Sequence, residues 1–63
     1  MRCNDDYLGF RVLIISGKYR QKKGHVSAAS KFGIYVDLDY NGLRVRCESN
    51  EILIILDDGT IDT

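Results

Sequence analysis

No proline and no tryptophan occur in this 63-residue chain, and it has one histidine and two cysteines. Each scarcity excludes something. His25 stands alone, and Cys3 and Cys47 are far apart in the chain, so nothing shows the spacing of a metal site. Two cysteines close one bridge at most, whereas secreted disulfide scaffolds of this size usually carry more. Both are expected as reduced thiols, with Cys47 a small buried apolar group. No apolar run exceeds five residues, far short of the roughly 20 that cross a bilayer. Asn4, Asp5 and Asp6 stand where a signal peptide needs an apolar stretch, so the expected location is cytoplasmic. Neither charge sign prevails either. Nine Lys and Arg balance nine Asp and Glu, which argues against a protein drawn to polyanions by net charge.

Six glycines and ample Ile, Val, Leu and Tyr are present. That composition suits a small β domain better than a disordered segment. The length allows one domain, and a chain this short buries only about 60% of its unfolded surface. The expected order is five strands. Tyr7, Leu8 and Phe10 begin the fold, Phe10 to Ile15 makes the first strand, and Gly24 to Ala28 follows after a loop. Lys31-Phe32-Gly33 is a turn. Ile34, Val36 and Leu38 then alternate with Tyr35, Asp37 and Asp39, the period of a half-buried strand. Asn41-Gly42 suits a two-residue type I′ turn. Leu43, Val45 and Cys47 continue the alternation. This turn would set Tyr40 opposite Leu43, Leu38 opposite Val45 and Val36 opposite Cys47, with Asp39–Arg44 and Asp37–Arg46 as cross-strand ion pairs. Glu48 to Glu51 reads as a short connection with a single 3₁₀ turn, and Ile52 to Leu56 as the last strand. Residues 1–6 and 58–63 are expected as loose tails.

The first and last strands are apolar without alternation, which fits strands covered on both faces or bent around a barrel corner. Paired with each other, they would close a sheet and remove its edges. The expected fold is all-β, a small five-stranded antiparallel barrel.

The segment Gly9 to Val26 holds the local pattern that says most. An apolar run, Val12 to Ile15, ends at Ser16-Gly17; a loop with Lys18, Arg20, Lys22 and Lys23 follows, and Gly24 opens the next strand. Strand, basic loop, glycine, strand resembles the KOW motif of ribosomal proteins and NusG-type elongation factors. The resemblance covers about the first half of the chain. It departs at Gln21, where KOW sequences often carry another glycine, and from Ile34 onward it matches only in general strand order. It implies an SH3-like barrel and a loop that touches RNA in a translation or transcription setting.

Catalysis finds no support. His25 has no evident nucleophile beside it in sequence, and the glycines match neither a P-loop nor a dinucleotide fingerprint. An enzyme is not expected, nor a cofactor. Between Arg11 and Lys31 there are six basic residues and no acid. Lys18, Tyr19, Arg20, Lys22 and Lys23 therefore combine cations for phosphates with a ring for an unpaired base. Lys31 and Phe32 are expected at the same end of the barrel. RNA or single-stranded DNA is the expected partner. The plainer reading of the same residues is a solvated loop with Tyr19 folded onto the core. A protein-docking module, or a homodimer, using Phe32, Tyr35 and Tyr40 is the alternative, with a polymerase or ribosome component as partner.

Overall fold

The computed structural model describes residues 3–56 and 59–62, the side chain of Asp62 excepted. Six antiparallel strands make one sheet: β1 (Arg11–Ile14), β2 (Lys23–Ser30), β3 (Gly33–Leu38), β4 (Arg44–Cys47), β5 (Ile52–Ile55) and β6 (Ile61–Asp62). Two 3₁₀ turns, Asn4–Tyr7 and Ser49–Glu51, complete it. The spatial order is β4-β3-β2-β1-β5-β6. The fold is all-β, as the composition implies, and no described helix is long and apolar enough to cross a membrane.

The expected pairing of first and last strands is present. Val12 lies opposite Ile54 and Ile14 opposite Ile52. These four side chains are buried, as are Val26, Ile34, Val36, Leu38, Cys47 and Tyr7. The core is thus built from alternate residues of β1 to β5, with no buried polar side chain among the described residues. No ladder joins β4 to β5 or β6 among the described residues. Instead the β1–β2 loop and the Ser49–Glu51 turn are tied together. Ile15 N–H donates to Glu51 O at 2.8 Å, and Ser16 Oγ donates to Glu51 Oε2 at 3.5 Å.

Gly24 has a packing reason to be glycine. A Cβ there would lie 2.4 Å from Asp37 O and 2.7 Å from Val36 Cγ1, closer than any real Cβ tolerates. The β2 and β3 backbones meet at this point only because the side chain is missing. Further along β2 the partner of Val26 is Val36, whereas that of Ala28 is Tyr35, so Ser27 is an extra residue that bulges and bends the strand. The small residues after it let β2 run on to Ser30, beyond the expected end at Ala28.

The β3–β4 register differs from the expected one by two residues. Val36 lies opposite Val45, Ile34 opposite Cys47 and Asp37 opposite Arg44. The connection is four residues long, closed by Leu38 N–H to Leu43 O and Gly42 N–H to Leu38 O, both 2.9 Å. Only Gly42 has positive φ, 71°, whereas a type I′ turn needs two such residues. Asn41 serves through its side chain, whose Oδ1 accepts from Leu43 N–H at 3.0 Å. Because the offset is two, every side chain keeps its expected face. The ion pairs change. Arg44 Nε donates to Asp37 Oδ1 at 3.0 Å, Asp39 pairs with Arg11 on β1, and Arg46 lies 3.7 Å from Glu48. Asp39 N–H donates to Lys23 O at 3.0 Å, so Asp39 is committed to the β1–β2 side of the sheet and is lost to Arg44.

The expected loose ends are more ordered where they are described. Tyr7 is buried and Asn4 Nδ2 donates to Ser30 O at 2.6 Å; Gly9 N–H donates to Val26 O at 3.1 Å. Tyr7, the expected start of the fold, anchors the acidic residues before it, which the sequence suggests are free. At the other end Ile61 lies opposite Ile55, adding β6 to the expected five strands. Residues 1, 2, 58 and 63 of the expected tails, and residue 57 before the second, lie outside the described residues.

Candidate nucleic-acid interface

The β1–β2 loop is a stack of tight turns. Arg20 N–H donates to Gly17 O at 3.2 Å, Lys22 N–H to Tyr19 O at 3.0 Å, and Gln21 N–H back to Ile14 O at 2.7 Å. Gly17 has φ of 87°, and Gln21 is the one described residue other than glycine with positive φ, 71°. Such tight winding uses most of the loop's backbone groups internally and turns its long side chains outward. Lys18, Arg20, Lys22 and Lys23 are all exposed. Tyr19 is half-buried and packs against the core, so its ring is mainly core cover, the plainer of the two expectations.

The basic residues fall into two groups. Arg11, Arg44 and Arg46, all on strands, pair with Asp39, Asp37 and Glu48. Lys18, Arg20, Lys22, Lys23 and Lys31 have no carboxylate partner among the described residues. Three of these lie over aromatic rings instead: Lys22 Nζ is 4.9 Å from the centre of the Tyr40 ring, Lys31 Nζ 5.2 Å from Phe32 and Lys18 Nζ 5.5 Å from Tyr19. A cation over a ring face keeps its full charge available to a third party.

The Lys22–Tyr40 contact brings the β3–β4 loop beside the basic loop. Tyr40 is 62% exposed, and its assignment changes accordingly. It belongs with Lys22, not with Phe32 and Tyr35. Phe32, 68% exposed, sits in the turn after Ser30, off the end of β2 opposite to Lys23. Lys23 and Phe32 thus stand at opposite ends of β2. Phe32, Tyr35 and Tyr40 stand before, within and beyond β3, a strand roughly 17 Å long, so they form no single aromatic patch. What links the ends is Arg46. Its Nη1 donates to Phe32 O at 2.9 Å, and it lines a cleft of about 340 Å³ with Ser16, Lys18, Tyr19, Cys47 and Glu51.

The titratable groups near this surface are structural. The Arg44 guanidinium beside Asp37 holds its carboxyl below the usual carboxylate range, with Ser27 Oγ donating to the same oxygen at 3.2 Å. Burial pushes the Cys47 thiol up, with the carboxylates of Glu51 and Glu48 adding to the effect. His25 lies opposite Asp37 on the exposed face, and the Ser27 hydroxyl is bonded to Asp37. No group of three or more metal-ligating side chains occurs among the described residues. No family model, curated protein or solved structure matches this chain.

Proposed function

We propose that this chain is a small non-enzymatic binding module that holds single-stranded nucleic acid, RNA foremost, on the surface formed by Lys18, Arg20, Lys22, Lys23 and Tyr40. One observation carries the reading. The cations of the β1–β2 loop have no carboxylate partner among the described residues, and one of them, Lys22, stands over the exposed Tyr40 ring, while the strand arginines are paired with acids in place. Phosphates take the cations, and an unpaired base takes the free face of Tyr40. Double-stranded nucleic acid offers no such base, which is why the ring favours single strands. Zero net charge makes the attraction local and modest in strength.

The KOW resemblance supports the same reading, and Gln21 sharpens it. This residue takes a left-handed conformation at the position where KOW sequences often have glycine. The setting proposed on that resemblance is translation or transcription.

Fluorescence anisotropy of a labelled single-stranded RNA at low salt tests the proposal. The Lys22→Glu/Lys23→Glu double variant should lose most of its affinity with its amide spectrum otherwise intact. Equal affinity of wild type and variant would remove the basic loop from consideration.

A further inference from the structure

We propose that the cleft beside β4 is a pocket for one guanine base of the bound strand, a site that rests on the single-strand reading of the basic loop. The cleft has a topological origin. No ladder joins β4 to β5 among the described residues, so the end of β1, the basic loop, β4 and the Ser49–Glu51 turn surround an opening of about 340 Å³. That lies at the small end of the range for ligand pockets. Ile14 and Cys47 are core residues and form its floor, with half-buried Val45 and Tyr19 packed beside them. Apolar surface below and an aromatic side chain at the wall suit a flat base.

Lys18 and Glu51 both line this cleft, yet neither has an ion-pair partner among the described residues. Opposite charges that share a cleft without pairing offer a ligand one anion site and one site for hydrogen-bond donors. Glu51 is held in place for the second role. Its N–H donates to Glu48 O at 2.9 Å and its O accepts from Ile15 N–H at 2.8 Å. Its Oε1 accepts from Glu48 N–H at 2.8 Å. Oε2 lies against Ser16 and Gly17, which line the cleft too, and meets only the Ser16 hydroxyl, at 3.5 Å. A carboxylate has about four acceptor positions, so Glu51 keeps capacity on both oxygens.

The donor pattern names the base. On its Watson–Crick edge guanine presents two adjacent donors, N1–H and the N2 amino group, to the two oxygens of a carboxylate. Adenine and cytosine set an acceptor beside their amino group, and uracil flanks its N–H with two carbonyls. Each of these turns a lone pair toward the second oxygen. Lys18 then takes a phosphate of the same strand, and the same loop reaches Lys22 and Tyr40.

Anisotropy titrations of the full chain test this, with a labelled oligouridine and the same strand carrying one guanosine or one adenosine. Wild type should bind the guanosine strand about tenfold more tightly than the other two, the size of one good bidentate contact. Glu51→Gln keeps an oxygen for the Glu48 N–H but meets guanine with one acceptor and one donor. It should abolish the preference while oligouridine still binds. In wild-type amide spectra the guanosine strand alone should shift Val45 to Cys47 and Glu51, a readout that does not depend on the variant folding. No preference for guanosine over adenosine, a preference that Glu51→Gln retains, or no shifts at Val45 to Cys47 overturns the guanine pocket and leaves the basic-loop reading standing. Binding of none of the strands overturns both.

Discussion

Lys22 Nζ stands 4.9 Å from the centre of the Tyr40 ring, and this contact makes one surface of two loops from different hairpins. The ring is held by a cation on one side and open to solvent on the other. Removing it separates aromatic from electrostatic contributions. Tyr40→Ala should weaken binding of a short single-stranded RNA by about 1 kcal/mol or more, roughly fivefold in Kd. Phe32→Ala, in the turn at the far end of β2, should change it little. Anisotropy titrations of both variants check the pair, and equal losses would place the bases elsewhere.

Gly24 gives a prediction about the fold alone. A methyl group there would press into Asp37 O and Val36 Cγ1, and both belong to the neighbouring strand β3. Gly24→Ala should therefore cost about 2 kcal/mol or more, in the range of overpacked cores. Urea denaturation measures it. A variant as stable as wild type would mean that β2 and β3 are not so close.

Acid should weaken the sheet in a way that depends on Arg44. The folded carboxyl of Asp37 titrates below its ordinary 3.8 because Arg44 hydrogen-bonds to it. A lowered folded value means that its contribution is fully present above the unfolded value and is lost as pH falls through the folded one. Melting temperatures should thus fall as pH drops below about 4. Arg44→Met should be less stable at neutral pH and show a smaller acid-induced fall. An identical pH profile in the variant would remove this pair from the account.

The two thiols should differ sharply in reactivity. Cys47 is buried, and its burial raises the thiol's pKa, while Cys3 is exposed. Thiolate is the reactive form. Timed alkylation of native protein should therefore label Cys3 first and reach Cys47 only on unfolding. Equal rates would contradict the placement of Cys47 opposite Ile34.

Much of this fold is legible in the sequence, because the core positions follow the two-residue period. Ile34, Val36 and Leu38 alternate with polar residues, and they are buried as that alternation requires. The pairing of β1 with β5 follows from two unusually apolar runs. The hairpin register was less accessible. Asn41-Gly42 suggests a two-residue turn, but Asp39 is drawn to Arg11 and Lys23 of neighbouring strands, and a local signal carries no information about those. Tyr7 is legible as the start of the fold, but the bond from Asn4 to Ser30 that holds the residues before it is not, because it joins positions 26 apart in the chain. At the candidate site the loop cations were readable as a cluster. The Lys22–Tyr40 contact was not, because it depends on the packing of two hairpins side by side.

The most direct test of the central claim is a backbone-amide NMR titration with a short single-stranded RNA at two salt concentrations. Shifts are expected in Lys18 to Gly24 and around Tyr40, few at Lys31 and Phe32, with affinity falling as salt rises. Three or four neutralised phosphates give a log–log salt slope of roughly −2 to −3. No shifts at low salt, or shifts confined to the turn at Phe32, would contradict it.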